Sequence, residues 1–464
     1  MLIKPVWLFL ENDIQEKIGD AEFGLYAALF SLGYLFLTLA DFGINQYITK
    51  KLASDRNKLQ EIFSNVFSFK LYMLIIYPVF MLMVGMVLGY EERELHFLAV
   101  LSFAQALLQL IFFFRANLQA AQYFLMDGIA SIADKFFLVL MVLAMFSFKT
   151  NLQLFVYIRM FSLLISAILL YILVIKCFGF IKPHLQSRKL ISLMKWSFPF
   201  ALITILYSIN EKVDQVMIER LSSQTSAGVY AAAYRWMDAF MMYLWTILPI
   251  FFAKFARHLK QPDIQQKFFN FGHVITSVPM SYVCVFIFFY GDKLFFQFET
   301  NSVEQIAQKT EVLKIIFIAV FLQGIFALYS TLLTATGHEL QVSKMIVGSI
   351  LINIILNYIY IPVYGAIAAA WVTVISTLFL SMSYLLYIHF KLPLKVPYHI
   401  LFRLAIVYSV FMFTFLYLNN FSKHESAIYL EWYWVSIISG LVLLVSIYFS
   451  GLTRILLQKN GNHS

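Results

Sequence analysis

Ionisable side chains occur inside long apolar segments of this sequence, where they are costly. A charge at the centre of a membrane helix costs about 2.5–3.5 kcal/mol. Such groups must therefore face a protein interior or a water-filled cavity. In that setting, cations can hold an anionic substrate and carboxylates can carry coupling protons or ions. The basic candidates are Lys70, Arg115, Lys135, Arg159, Lys212 and Arg235, and the acidic candidates are Asp134, Glu211, Asp214 and Asp238.

The spacing of these residues supports two interpretations. Glu211 and Asp214 are three residues apart and share a helix face, as do Arg235 and Asp238 one segment later. One interpretation makes these groups, together with Lys212, structural ion pairs between helices. The other makes them the lining of a transport cavity. Lys70 and Arg115 differ, because both side chains could reach the cytoplasmic interface by snorkelling.

The amino-acid composition predicts the kind of secondary structure that positions these residues. Of 464 residues, 61% are hydrophobic and 13% are charged, against about 45–50% and about 25% in soluble domains. This balance excludes a cytosolic enzyme, a nucleic-acid binder and a disordered chain. It predicts an all-α multi-pass membrane protein. The apolar segments fall near 1–10, 23–40, 62–89, 95–114, 124–148, 152–178, 198–218, 227–253, 268–290, 312–334, 342–361, 366–388, 400–418 and 431–452.

The first segment is short. Ten residues precede Glu11, and at 1.5 Å per residue they cover about half of a 30 Å hydrocarbon core. A re-entrant segment is one explanation. We expect instead a truncated first helix whose start codon lies upstream.

Loop charges predict the orientation of the chain. Alternate loops are basic, including Lys254, Arg257 and Lys391, and the intervening loops are acidic, including Glu92 and Glu299. The excess of Lys and Arg places the basic loops and both termini in the cytoplasm. The two cysteines exclude a disulfide framework, and the nine histidines do not cluster at metal-ligand spacing. We therefore expect no metal and no cofactor. No loop is long enough for a soluble catalytic domain.

A short repeat indicates two related halves. The sequence Gly24-Leu25-Tyr26-Ala27-Ala28 opens the second segment, and Gly228-Val229-Tyr230-Ala231-Ala232 opens the eighth. The offset of 228 − 24 = 204 residues spans six segments, so both copies run in the same direction. This is typical of a parallel repeat about an axis along the membrane normal. It predicts an amino-terminal six-helix lobe over 1–178, a cytoplasmic linker over 179–197, a second lobe over 198–390 and two additional helices over 400–452.

Several motifs resemble those of bacterial polysaccharide flippases of the O-antigen type, in the multidrug/oligosaccharidyl-lipid/polysaccharide exporter superfamily. They occur in order along about residues 19–388. The matching stretches are Phe23–Tyr26, Asp41–Ile44, Thr49–Ala53, Asp214–Ile218 with the preceding Pro199, Gly228–Arg235 and Asn357–Ala369.

The resemblance implies a flippase of two six-helix lobes, in the bacterial inner membrane, that serves lipopolysaccharide and other surface polysaccharides. Its substrate would be undecaprenyl-diphosphate-linked oligosaccharide, moved from the cytoplasmic to the outer leaflet by alternating access. The basic candidates would hold the diphosphate, with Lys70 and Arg115 near the entrance. The acidic candidates would balance charge and couple movement to protons, sodium or the membrane potential. The additional helices resemble those that shape a lipid-tail groove in the related peptidoglycan-precursor flippase. Membrane lipid, a polysaccharide polymerase and glycosyltransferases are the expected partners, and nucleic acid is not.

Two other functions stay open from the sequence. A multidrug antiporter of the same fold would export organic cations and should have a cavity dominated by carboxylates. A membrane polysaccharide polymerase or ligase would carry a sizeable extracytoplasmic loop with catalytic residues, and the loops here are short.

Overall fold

The computed structural model describes residues 3–45, 56–179, 184, 186–392, 394–424 and 432–452. Within these ranges every regular element is a helix. Residues 49–53 of the opening motif and residue 431 of the last predicted segment lie outside the described part. The helices are α1 Ile3–Ile18, α2 Asp20–Phe36, α3 Arg56–Val87, α4 Glu92–Ala120, α5 Phe124–Met145, α6 Leu152–Phe178, α7 Ser187–Leu221, α8 Gln224–Arg257, α9 Pro262–Tyr290, α10 Val303–Ala335, α11 Glu339–Lys391, α12 Tyr398–His424 and α13 Trp432–Phe449.

Element α11 contains two helices. Gly365 breaks it with φ 57° and ψ −132°, a left-handed conformation that favours glycine. The Ser349 hydroxyl donates to the Ser376 carbonyl at 3.0 Å. Ser349 lies on the arm before Gly365 and Ser376 on the arm after it, so the two arms fold back on each other. Counted this way, the described residues form fourteen α-helices, which confirms the number predicted from the apolar segments.

Eleven of the described helical elements are long and apolar enough to cross a membrane, with α11 counted once. Helices α1 and α7 are not among them. Helix α1 is only 16 residues long, and α7 carries the charged run Glu211, Lys212 and Asp214 in its second half. This charged run is the reason that α7 requires protein or water around it.

The first helix is longer than the sequence predicted. It runs from Ile3 to Ile18, about 24 Å at 1.5 Å per residue, so the boundary at residue 10 was wrong. Polar residues beyond that boundary stay helical because protein groups satisfy them. Asn12 donates to Gln297 at 3.1 Å, and Gln15 donates to the Gly228 carbonyl at 2.9 Å. The acidic residues 11–22 between the first two predicted segments, expected to form a loop, are instead helical apart from Gly19, whose φ is 87°.

The helices form two compact units. The first contains residues 1–232, 297–300 and 357–369, and the second contains 233–296, 301–356 and 370–464. Helices α1–α7 form two apolar cores in the first unit, around Phe155 and Phe113. In the second unit α12 and α13 pack with α9 around Phe411. The division into lobes at 178 and 198 stays a prediction.

A buried ion pair fixes the end of α2. Lys70 on α3 donates to Asp41 at 2.5 Å and to the Ala40 carbonyl at 3.1 Å. Its side chain is 1% exposed. The ammonium therefore holds the 3-10 turn Leu37–Ala40 against α3. In this structure the charge of Lys70 has a structural role.

We expect Lys70→Met to destabilise the protein by about 3–5 kcal/mol, because Asp41 would stay buried without its ion-pair partner. Thermal unfolding of the purified protein in detergent measures this change. Lys176→Met, at an exposed lysine of α6, is the matched control. Adding Asp41→Asn to Lys70→Met should restore much of the loss. A fully stable Lys70→Met variant would contradict the structural role.

Candidate cationic site in the first unit

Two of the predicted cations line one cavity. Lys135 on α5 and Arg159 on α6 face it together with Gln105 on α4 and Phe30 on α2. Leucine and alanine side chains complete the wall. The cavity measures about 30 Å³, which has room for a water molecule or two. A diphosphate would therefore enter only after the surrounding helices move apart.

Aromatic rings surround the guanidinium of Arg159. Its Cζ lies 4.3 Å from the ring centre of Phe30, 5.7 Å from that of Tyr26 and 5.9 Å from that of Trp7. These distances fit cation–π attraction, which stabilises the charge without using its N–H groups. Within the described part of the chain, the buried Nη1 atom of Arg159 has no hydrogen-bond partner.

An unsatisfied buried donor of this kind is unusual. Leaving it unpaired costs about 1–3 kcal/mol, and more when the group is charged. An anion that entered the cavity would recover that cost. The arrangement therefore has the chemistry of an anion-binding site that is held ready by aromatic stacking.

Gln105 is a lining residue that the sequence reasoning missed. Its Nε2 donates to the Phe30 carbonyl at 2.8 Å, and its Oε1 lies 3.3 Å from the Tyr77 hydroxyl. A Cβ at Gly33 would lie 2.0 Å from Gln105 Oε1, so a larger residue at position 33 would displace the Gln105 amide from this position. Gln105 and Gly33 lie on different helices and are far apart in the sequence, so no sequence pattern connects them. This is why the sequence did not identify Gln105. The aromatic residues Trp7, Tyr26 and Phe30 were also missed, because they read as ordinary apolar positions.

The other predicted basic residues are placed elsewhere. Lys70 forms the ion pair with Asp41. Arg115 on α4 donates from Nε to Asp127 on α5 at 2.7 Å, so this cation joins two helices near their ends. Lys212 is half-buried on α7, and Arg235 is buried on α8. None of these four belongs to the lining of the cavity around Lys135 and Arg159.

Among the predicted carboxylates, Asp214 is the best defined. It is 4% exposed. It accepts from the Tyr230 hydroxyl at 3.1 Å and from Asn357 Nδ2 at 2.7 Å. Asp214 thus connects α7 and α8 to the first arm of α11, close to the bend at Gly365. Glu211 and Asp238 are half-buried. Asp134 lies in α5, but its side chain falls outside the described residues.

The two copies of the repeat cross each other within the first unit. A Cβ placed on Gly24 would lie 1.9 Å from the Gln224 carbonyl oxygen. A Cβ placed on Gly228 would lie 2.0 Å from the Asp20 carbonyl oxygen. In each copy, the glycine meets the carbonyl four residues before the glycine of the other copy. This reciprocal contact, here called the glycine crossing, is what a two-fold relation between the copies requires.

Polar side chains reinforce the same end of the unit. Tyr90 donates to Glu219 at 2.9 Å, and Arg220 donates to Glu219 from Nε at 2.6 Å. Arg220 also lies 3.8 Å from Glu94. Burial, together with the neighbouring Glu219 carboxylate, raises the pKa of Tyr90, so the phenol keeps its proton and donates. We call these four residues the Glu219 cluster. It ties the start of α4 to the end of α7.

The second unit contains an apolar groove of about 530 Å³ between α9, α10 and α12. Its lining includes one cationic residue, Lys314, which lies 5.7 Å from the ring centre of Phe288. The apolar lining includes Val285, Phe288, Ile318, Phe321, Phe413 and Leu416. A lining of this kind suits a hydrocarbon chain. Helix α12, one of the two additional helices, supplies one wall.

Comparison with known proteins identifies similar sequences and folds. Residues 14–253, which are 240 of the 464, match a family described as "Polysaccharide biosynthesis protein". Comparison with curated protein sequences gives no match.

Solved structures share the fold at low sequence identity. The lipid II flippase MurJ in an inward closed conformation aligns with a TM-score of 0.70 and 14% identity, over 99% of this chain and 100% of that chain. An inward-facing MATE family multidrug resistance transporter of the MOP superfamily aligns with a TM-score of 0.65 and 10% identity, over 82% and 92%. A MOP superfamily transporter from Pyrococcus furiosus is described as having a binding pocket of reverse polarity. It aligns with a TM-score of 0.56 and 10% sequence identity, over 83% of this chain and 90% of that chain. At these sequence identities the similarity shows a shared fold and nothing further.

Proposed function

Because the chain belongs to the polysaccharide biosynthesis protein family, we propose that it is a flippase for lipid-linked oligosaccharides. Family and fold are of the transporter type rather than of an enzyme type. The proposed substrate is an undecaprenyl-diphosphate-linked oligosaccharide, as in O-antigen or other surface polysaccharide synthesis. It moves from the cytoplasmic to the outer leaflet of a bacterial inner membrane, with both protein termini in the cytoplasm. Glycosyltransferases would supply this substrate and a polymerase would consume it.

The observation that carries this proposal is the cationic lining of the cavity at Lys135 and Arg159. A diphosphate carries two negative charges and cannot cross about 30 Å of hydrocarbon unaided. A guanidinium can bind phosphate oxygens with two parallel hydrogen bonds, and an ammonium adds a point charge. Arg159 has a buried donor available for this contact.

The lipid tail needs a separate path. A polyprenyl chain is apolar and can stay against hydrocarbon while the head group passes through the protein. The groove between α9, α10 and α12 offers an apolar surface of this kind. Lys314 lies in the same lining, where its charge could attract the phosphate end of the lipid.

Alternating access requires contacts that can open. The glycine crossing and the Glu219 cluster bring together elements of both predicted lobes at one end of the first unit. In this proposal they close the extracytoplasmic side and separate when the head group leaves. Asp134, Glu211, Asp214 and Asp238 balance the cationic charge during this movement. The membrane potential is worth about 2.3 kcal/mol per charge per 100 mV, which is a sufficient driving force for an anion leaving the cytoplasm.

A leaflet-resolved assay tests the function. The purified protein is reconstituted in vesicles that contain fluorescent polyprenyl-diphosphate oligosaccharide in both leaflets, and an impermeant glycan-modifying reagent reports the outer pool. We expect protein-dependent access to the inner pool and no stimulated efflux of organic cations. Efflux of organic cations without lipid movement would support the multidrug antiporter instead. Chain extension of the glycan by the purified protein would support a polymerase or ligase.

A further inference from the structure

The two apolar cores of the first unit lie one after the other along the same helices. Helices α3, α4, α5 and α6 each contribute side chains to both cores. On α3, for example, Phe63 belongs to the core around Phe113, and Tyr77 belongs to the core around Phe155. Phe63 is near the start of α3, which follows a basic connection. The Phe113 core is therefore predicted to be the cytoplasmic one.

The cationic cavity lies where the two cores meet. On α6, Arg159 lies between Ile158 of one core and Leu163 of the other. Lys135 on α5 and Gln105 on α4 have corresponding positions. Closely packed side chains resist deformation within each core, so bending costs least between the cores. We call this level the polar layer, and its members are Gly33, Tyr77, Gln105, Lys135 and Arg159.

Helix α2 changes its geometry at the polar layer. Phe36 has φ −97° and ψ 1°, in the sparsely populated bridge region. The next amide, that of Leu37, donates to the Tyr34 carbonyl three residues back. In an α-helix it would donate to the Gly33 carbonyl, four residues back. The candidate span Asp20–Ala40 thus contains α and 3-10 geometry, a change that often marks a hinge.

The Tyr77 hydroxyl bonds to the carbonyl that this change releases. Tyr77 on α3 is 1% exposed, and its hydroxyl donates to the Gly33 carbonyl. The same hydroxyl lies 3.3 Å from Oε1 of Gln105. The Gly33 carbonyl thus has two alternative donors, Tyr77 in this conformation and the Leu37 amide in a straight α-helix. When Leu37 donates to this carbonyl, Tyr77 can donate to Gln105 instead, so the exchange leaves these buried polar groups partnered.

The neighbouring helices can also bend at this level. Pro78 lies inside α3 and has no N–H to donate to the preceding turn. Ser102 on α4 donates to the Leu98 carbonyl, and Ser162 on α6 donates to the Arg159 carbonyl. Serine bonds of this kind compete with the backbone ladder and often bend helices. Helices α2, α3, α4 and α6 therefore each have a weak point close to the polar layer.

We propose that the first unit bends at the polar layer and that the Tyr77 hydroxyl is the contact that keeps it closed. On bending, the Phe113 core tilts away from the Phe155 core, and the cavity at Arg159 opens towards the predicted cytoplasmic side. Lys70 keeps the 3-10 turn on α3, so the ends of α2 and α3 move together. The bending itself belongs to the first unit alone. Its use in admitting a diphosphate head group rests on the proposed flippase function.

Hydrogen exchange measures the bending without substrate. We expect Tyr77→Phe to speed backbone exchange about fivefold in residues 33–45, since this factor equals about 1 kcal/mol, the contribution of one hydrogen bond. Residues 20–32, in the Phe155 core, should exchange at the parent rate. Tyr243→Phe is the matched control, because that hydroxyl donates to the Ile275 carbonyl at 2.9 Å in the second unit. Equal acceleration of 20–32 and 33–45, or none in 33–45, would overturn the proposal.

Cysteine labelling tests the opening with Tyr77 in place. In protein with Cys177 and Cys284 replaced by alanine, a cysteine is introduced at Ala104, which lines the cavity and is 1% exposed. An impermeant thiol reagent is applied to the cytoplasmic face of membrane vesicles. We expect labelling at least about tenfold faster than for Ala167→Cys, a buried site of the Phe113 core, because opening of the layer costs less than opening of a core. Equal rates at the two sites would contradict the opening.

A lipid ligand separates the bending from the transport function. Undecaprenyl diphosphate added to the same vesicles should slow the labelling of Ala104→Cys about tenfold when it is present at ten times its dissociation constant. It should leave the labelling of Ala167→Cys unchanged. Labelling that is fast at Ala104→Cys and is not slowed by the lipid would contradict admission of the head group, and with it the flippase function of this site, while the bending would stand.

Discussion

Replacing Arg159 by glutamine is expected to reduce lipid-linked oligosaccharide transport about ten- to a hundredfold. A hydrogen bond to a charged group contributes about 1.5–3 kcal/mol, and each 1.4 kcal/mol is a factor of ten. The guanidinium carbon lies 4.3 Å from the ring centre of Phe30, and the buried Nη1 has no hydrogen-bond partner among the described residues, so Nη1 can donate to an anion. Initial rates in the leaflet-resolved assay measure the loss.

Stability separates this binding role from a structural one. Arg159→Gln removes a half-buried charge whose Nη1 makes no hydrogen bond within the described part of the chain, so we expect the midpoint of thermal unfolding to stay the same or rise. If Arg159 had a structural role, the same substitution would lower the midpoint of thermal unfolding. Arg159→Lys keeps the charge but loses the planar, bidentate geometry, and should fall between the parent and the glutamine variant. Lys176→Gln, at an exposed position of the same helix, is the control for transport. Full activity in Arg159→Gln would remove the cationic site from the mechanism.

Replacing Gly24 by alanine is expected to stop transport by preventing one end of the first unit from closing. The added Cβ would lie 1.9 Å from the Gln224 carbonyl oxygen. Backbone atoms cannot move aside as a flexible side chain would, so the helices must separate. Overpacking of this kind costs about 1–3 kcal/mol. We expect at least a tenfold fall in transport with unchanged amounts of protein in the membrane.

The glycine crossing also predicts how two substitutions combine. Gly228→Ala introduces the reciprocal clash with the Asp20 carbonyl, and should have the same effect as Gly24→Ala. Once one substitution has opened the crossing, the second has less to disrupt. The double variant should therefore lose less stability than the sum of the single variants. Gly128→Ala in α5 is the control, since a Cβ there meets nothing within 4 Å. A fully active Gly24→Ala variant would show that the crossing does not close during transport.

The sequence by itself determined the class of this protein and the number of α-helices in its described part. Segment hydropathy is a local property, because each helix satisfies its own backbone hydrogen bonds wherever it packs. The predicted bend between residues 361 and 366 also has a local cause, since glycine accepts the positive φ found at Gly365. The repeat at Gly24 and Gly228 was visible as well, because each copy is a short stretch of consecutive residues. The length of α1 was not, because its polar residues are stabilised by partners distant in sequence, such as Gln297.

The sequence also determined which charged residues needed an explanation, because the cost of burying a charge in an apolar segment does not depend on its partner. Only the tertiary structure decided what each one does. It pairs Lys70 with Asp41 and brings Lys135 to the same cavity as Arg159. It adds Gln105, which nothing in the local sequence distinguishes. Such assignments depend on which helix faces meet. That choice is made by packing between segments far apart in the chain, where a single glycine can decide how closely two backbones approach.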